Sequence, residues 1–164
     1  MNKSTEYYFV VVIIIAIALT IGFLGAQVVG SLYYNKLISN NPALEDFKDT
    51  YTNKINLMDD PNELARMGTI FLKSDFNDLA LLSFKKASDL SPNWRDAWVW
   101  RGYAELRTNQ PKAGLDSLKK AENLDPIYPL TYQFLTDAYK LTGDAVSAEK
   151  AQEKFVYLNK TYKK

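Results

Sequence analysis

Residues 61–160 carry one pattern three times at a fixed interval of 34 residues, and no other feature constrains the fold so tightly. Leu64, Trp98 and Tyr132 fall in step. So do Gly68, Gly102 and Thr136, then Ala80, Gly114 and Ala148, with Pro92 and Pro126 closing the first two units. A period of this length suits a unit of paired helices that buries its apolar face only against neighbouring units. The expected fold class is all-α: a short helical-repeat solenoid over 60–164, with repeats at about 61–94, 95–128 and 129–160.

The residues in phase resemble the tetratricopeptide repeat family, whose signature runs aromatic, Leu-Gly, Tyr, Ala, Phe and a closing Pro. Repeat one carries it as Leu64, Met67-Gly68, Phe71, Ala80, Phe84, Ala87 and Pro92. Repeat two has Trp98, Gly102, Ala121 and Pro126, and repeat three has Tyr132, Leu135, Tyr139, Ala148 and Phe155. The resemblance implies helix pairs near 61–73 and 77–90, 94–108 and 111–124, and 129–141 and 145–159. The middle repeat departs from the signature, with Arg101 and Glu105 where Leu and Tyr are usual and Gly114 where Ala is. Looser packing or a slightly rotated helix is expected there. Lys160 replaces the closing Pro of repeat three, which fits an array ending at that point. Glu149, Lys150, Glu153 and Lys154 would give its last helix a solvated face.

Ahead of the repeats, residues 9–26 are 18 consecutive positions with Thr20 as the only polar one. That length spans a bilayer. Tyr7-Tyr8 and Tyr33-Tyr34 bracket the run, and a helix between them rises roughly 37 Å, which sets both pairs near the headgroups. Residues 7–34 are therefore read as one transmembrane helix after an N-terminal tail, 1–6. Ala16-Ile17-Ala18 offers a signal-peptidase-like A-x-A, but cleavage there would leave LTIGFLGAQVV as a new N-terminus, and the apolar run exceeds the length of a signal-peptide core. Ala18, Gly22, Ala26 and Gly30 recur every fourth residue, with Gly25 beside them, a spacing that lets a second membrane helix approach closely. The same face suits a partner transmembrane helix or a second copy of the chain. Basic residues flank the span too evenly to fix orientation; the short tail favours a signal anchor, with the repeats outside the cytoplasm.

Residues 35–59 divide into a polar tether and an amphipathic helix over 42–58. Asn41-Pro42 supplies its cap and first residue, and Leu44, Phe47, Tyr51, Ile55 and Met58 follow at helical spacing. Packed on the first repeat, it would cover an otherwise open end. Asp60-Pro61-Asn62-Glu63 then reads as a capping box opening repeat one.

The chain has no Cys and no His, which removes thiol nucleophiles, histidine bases, and cysteine- or histidine-held metals. No cofactor motif is present, and an enzyme is not expected. With 20 basic and 19 acidic residues there is no electrostatic reason for nucleic acid as a partner.

The family resemblance instead implies a concave groove lined by the first helix of each pair. It picks out Ala65, Thr69 and Leu72, then Val99, Tyr103 and Leu106, then Gln133, Asp137 and Lys140, with Trp100, Leu130 and Phe134 at the margin. The apolar subset, Leu72, Val99, Trp100, Tyr103, Leu106, Leu130 and Phe134, is the candidate surface for an apolar or amphipathic segment of a protein partner. Trp98 is expected in the core. Some family members clamp chaperone C-termini with Lys, Asn and Arg on this face; the corresponding positions here are Ala65, Thr69, Trp100, Leu130 and Phe134, so that activity is not carried over. Two roles follow: a membrane-anchored, non-catalytic adaptor or assembly factor, or a permanent structural subunit of a membrane complex such as secretion, envelope or appendage machinery.

Overall fold

The computed structural model describes residues 41–162. The expected transmembrane helix, with Ala18, Gly22, Gly25, Ala26 and Gly30, lies outside the described residues, as do the tail and most of the tether. No described helix is long and apolar enough to cross a membrane. Seven helices make up the described chain, with no strands. They are α1 (Pro42–Leu57), α2 (Pro61–Lys73), α3 (Asn77–Leu90), α4 (Arg95–Arg107), α5 (Pro111–Leu124), α6 (Pro129–Thr142) and α7 (Ala145–Tyr162).

The described residues divide into two units with the boundary between Phe47 and Lys48. In the first, Asn41 Oδ1 accepts from Ala43 N at 3.1 Å, and Pro42 begins α1 where its missing N–H costs nothing. In the second, the remainder of α1 lies on repeat one. Ile55 is fully buried, Tyr51 meets Phe71 edge-to-face at 5.4 Å, and Lys86 Nζ donates to the α1 carbonyls of Ile55 (3.0 Å) and Asn56 (2.6 Å). A cation on those carbonyls, of which Ile55 O also accepts from Met58 N at 3.2 Å, completes the helix end.

The three pairs α2–α3, α4–α5 and α6–α7 stack in sequence order, and α4 also touches α6, so the first helices of the pairs line the inner side. Two details recur at the repeat period. Asp75, Asn109 and Gly143 take left-handed φ values of 58°, 59° and 84°. At each, the following residue closes the turn: Phe76 N bonds to Phe71 O (2.9 Å), Gln110 N to Glu105 O (2.8 Å) and Asp144 N to Tyr139 O (2.9 Å). The aromatics at the first signature position also act alike. Trp98 Nε1 donates to Pro92 O at 2.8 Å and the Tyr132 hydroxyl to Pro126 O at 2.7 Å, tying each first helix to the turn before it. Trp98 therefore keeps its indole N–H at the surface. It is half-buried rather than the interior residue expected, because a donor that bonds an exposed carbonyl must reach the edge of the core.

Asp60 caps α2 as expected, accepting from Asn62 N (2.8 Å) and Glu63 N (3.4 Å), while Glu63 faces Arg66 at 3.9 Å. Asp144 caps α7 by accepting from Ser147 N at 3.0 Å. Hydrogen bonds from the Ser147 side chain and backbone, then Lys150 and Lys119, hold its carboxyl below the usual carboxylate range.

The middle repeat is neither loose nor poorly filled, and here the sequence-based expectation is corrected. A Cβ on Gly102 would lie 2.6 Å from Leu118 Cγ and 3.1 Å from Gly114 O, and one on Gly114 would lie 2.7 Å from Leu106 Cδ2 and 3.0 Å from Gly102 O. The paired glycines bring α4 and α5 together backbone to backbone. Gly102→Ala is accordingly expected to destabilise the chain by about 1–3 kcal/mol through overpacking, read from urea melts. An unchanged midpoint would mean that α4 and α5 separate at little cost.

Candidate functional site

The inner side is a row of α2, α4 and α6, and the seven candidate residues fall on it unequally. Val99 is fully buried with Leu118, Tyr132 and Leu135 in the core, and Phe134 is 7% exposed. Leu106 points its Cδ2 at Gly114 and so fills the α4–α5 seam rather than a groove. These three are corrections to the expected surface. Helical spacing placed them on one face, but α5 of the same repeat takes up Leu106, and the third repeat helps to cover Val99 and Phe134. Leu72, Leu130, Trp100 and Tyr103 are half-buried.

The structure joins three of the seven into one aromatic cluster. Tyr103 and Phe134 stack with ring centres 4.5 Å apart, Trp100 meets Phe134 edge-on at 5.9 Å and Tyr103 at 6.1 Å, and the buried Phe84 of α3 stacks on Trp100 at 6.2 Å. Such offset and edge-to-face geometries are favourable for quadrupolar rings. The cluster fills the space between α4 and α6, where the sequence placed the centre of the groove.

The open groove lies one repeat earlier, between α2 and α4. It measures about 430 Å³ and is lined by Asn62, Ala65, Arg66, Thr69, Trp94, Asp96 and Trp100. Of the seven candidates only Trp100 borders it. Ala65 and Thr69 were expected on this face. Asn62, Arg66, Trp94 and Asp96 were not. Asn62 and Arg66 continue the register of Ala65 and Thr69 along α2 and were legible; Trp94 precedes α4 in extended backbone (φ −89°, ψ 101°), so no helical period points to it.

The electrostatics of the groove are nearly self-contained. Asp96 Oδ1 accepts from both Arg95 Nε (2.9 Å) and Nη2 (2.7 Å), and Arg95 also bonds Asp125 and lies 3.6 Å over the Tyr128 ring. Arg66 is 72% exposed and has Glu63 at 3.9 Å. Thr69 donates its hydroxyl to Ala65 O at 2.9 Å. The walls thus offer indole rings and, from Arg66 and Asn62, hydrogen-bond donors with little net charge.

A second crevice of about 170 Å³ lies among α5, α6 and α7, lined by Glu122, Tyr132, Leu135, Tyr139, Ser147, Lys150, Ala151 and Lys154. Lys154 sits 4.3 Å over the Tyr132 ring and 3.8 Å from Glu122. Burial, then the Glu122 carboxylate, push the Tyr132 hydroxyl above the usual tyrosine range. Among the described residues no group of His, Cys, Asp and Glu could hold a metal ion.

No family model matches the chain, and no curated protein matches it. Solved structures do. The first tetratricopeptide domain of Spaghetti (RPAP3), bound to the HSP90 peptide SRMEEVD, superposes with a TM-score of 0.58 at 20% identity, covering 60% of this chain and 78% of that one. The Sgt2 tetratricopeptide domain from Aspergillus fumigatus gives 0.58 at 19%, covering 60% and 66%. A crystal structure of MamA gives 0.60 at 20%, covering 72% and 74%. With the 34-residue turns and the stacked pairs, these likenesses give the described chain the tetratricopeptide-repeat fold.

Proposed function

We propose that this chain is a non-catalytic adaptor or assembly factor, held in a membrane by residues 7–34, whose repeats dock an apolar or amphipathic segment of a protein partner. The observation that carries the reading is the open α2–α4 groove with Trp94 and Trp100 on its walls. Half-buried tryptophans at a concave surface are the residue type on which binding energy concentrates. The fold adds weight, since the RPAP3 domain is seen with a peptide bound. The apolar run 9–26 supports the anchor, and an extracytoplasmic repeat domain is part of the same proposal.

The experiment places a photo-cross-linking residue at Thr69, inside the groove, and at Glu149, on the exposed face of α7, in native membranes. A partner trapped from Thr69 and not from Glu149 is the expected result. Equal cross-linking from both positions would remove the groove as the docking surface. Protease added to spheroplasts should trim the chain beyond Tyr34; full protection until lysis would reverse the topology. The alternative, a permanent subunit held through Ala18, Gly22, Gly25, Ala26 and Gly30, predicts that the chain is never recovered alone after mild detergent extraction.

A further inference from the structure

We infer that the crevice among α5, α6 and α7 takes carboxylate side chains from an acidic segment of a protein partner. This surface is separate from the α2–α4 groove, and the second repeat shows what fills its counterpart. Moved back by 34 residues, the lining residues Glu122, Tyr132, Leu135, Tyr139 and Ala151 become Ser88, Trp98, Arg101, Glu105 and Ser117. In repeat two that place is filled from within. The buried Glu105 carboxylate accepts from Arg101 Nε at 3.0 Å and Ser117 Oγ at 2.6 Å, while Arg101 donates to Ser88 Oγ at 3.2 Å and lies over the Trp98 ring.

Repeat three has lost that filling. Tyr139 stands at the carboxylate position, Ala151 replaces the serine that donates to it and Leu135 replaces the arginine, so the crevice of about 170 Å³ stays open with no buried carboxylate in its lining. Glu122, the carboxylate that does line it, is half-buried and stands where repeat two has Ser88.

The charges shift in the same direction. Lys85 and Lys120 recur as Lys119 and Lys154, but the acidic trio Asp89, Glu105 and Asp116 is replaced by Asn123, Tyr139 and Lys150. Lys154 lies 4.3 Å over the Tyr132 ring and 3.8 Å from Glu122, and Lys119 lies 5.9 Å from the Tyr139 ring centre. Among the described residues Lys154 is the one of these three lysines that forms an ion pair. Asp144 feels Lys150 and Lys119 but is committed to Ser147 as the cap of α7. A cationic rim over an aromatic and aliphatic floor suits acidic side chains, whose stems lie on the rings while their carboxylates meet the lysines.

The test is fluorescence anisotropy of the full chain in detergent solution with labelled decamers that alternate Ala with Glu, with Gln or with Lys. The Glu decamer should bind at least about tenfold more tightly than the other two. Lys150→Asp, which restores the repeat-two residue type at an exposed position, should weaken it by more than about tenfold, and Lys119→Ala by about two- to fivefold, with helicity unchanged in circular dichroism. Lys85→Ala, one repeat earlier at the same phase, and Arg66→Ala, at the α2–α4 groove, should leave binding as it is. Equal binding of the Glu and Gln decamers overturns the inference, and so does a loss from Lys85→Ala or Arg66→Ala that matches the loss from Lys150→Asp. Equal competition by inorganic phosphate at the same concentration also overturns it, since the crevice would then be a small-anion site. Cross-linking from Thr69 reads the groove separately, so either result stands without the other.

Discussion

Glu105→Ala is expected to cost about 3–5 kcal/mol of folding stability, because it breaks a buried ion pair from one side. Glu105 is 4% exposed on the inner turn of α4. Its Oε1 accepts from Arg101 Nε at 3.0 Å and its Oε2 from Ser117 Oγ at 2.6 Å, so each carboxylate oxygen has a donor across or along the helix pair. Arg101 is itself 19% exposed, bonds Ser88 Oγ at 3.2 Å and Asp89 Oδ1 at 3.3 Å, and lies 5.0 Å over the Trp98 ring. Truncating Glu105 leaves this guanidinium with only the more exposed Asp89 as counter-charge, and Ser117 without its acceptor. Replacing both ends, Arg101→Leu with Glu105→Leu, should cost less than Glu105→Ala alone, since no charge is then left buried without a partner: Asp89, which loses Arg101, is 59% exposed, and Ser117 loses its acceptor in either case. Urea melts of the single and double variants separate these outcomes. A loss under about 1 kcal/mol for Glu105→Ala would show that water already screens the pair.

The same residues mark where sequence reasoning stops. Helix positions were legible because the 34-residue phase repeats every helix start: Asp60-Pro61, Pro111 and Pro129 open helices, and Gly143 closes one. The resemblance also gave the right fold. Arg101, Glu105 and Gly114 read as flaws in a signature, since the signature records residue types and not partners. The bond that Ser117 Oγ donates to Glu105 joins two helices, and nothing local in the sequence announces it. The candidate surface failed at Val99 and Phe134 for a related reason. Periodicity says which residues share a face, while burial depends on what the adjacent repeat lays over that face. Phe134, from the third repeat, stacks on Tyr103 and closes the space between α4 and α6, so the opening lies against α2, whose Ala65 and Thr69 are too small to fill it.

Phe84→Ala is expected to lower stability by about 3–5 kcal/mol and to weaken whatever binds between α2 and α4. Phe84 is fully buried, and its ring tip lies 2.7 Å from the point where a Cβ on Gly68 would stand, so the ring occupies the space that the glycine leaves open between α2 and α3. It also stacks on Trp100 with the planes 21° apart, supporting one wall of the groove from behind. A core truncation outside the groove lining serves as the comparison: Leu118→Ala, fully buried between α4 and α5 of repeat two, should cost about 2–5 kcal/mol. If Phe84 positions Trp100, its removal should reduce ligand affinity at temperatures where both variants remain folded, and Leu118→Ala should not; equal affinities would reduce Phe84 to a packing role. Gly68 gives an internal check. Gly68→Ala alone meets the ring and should cost about 1–3 kcal/mol. Combined with Phe84→Ala, the added methyl enters the vacated space, so the double variant should lose less than the sum of the two, and strict additivity would show that α2 and α3 do not pack through this contact.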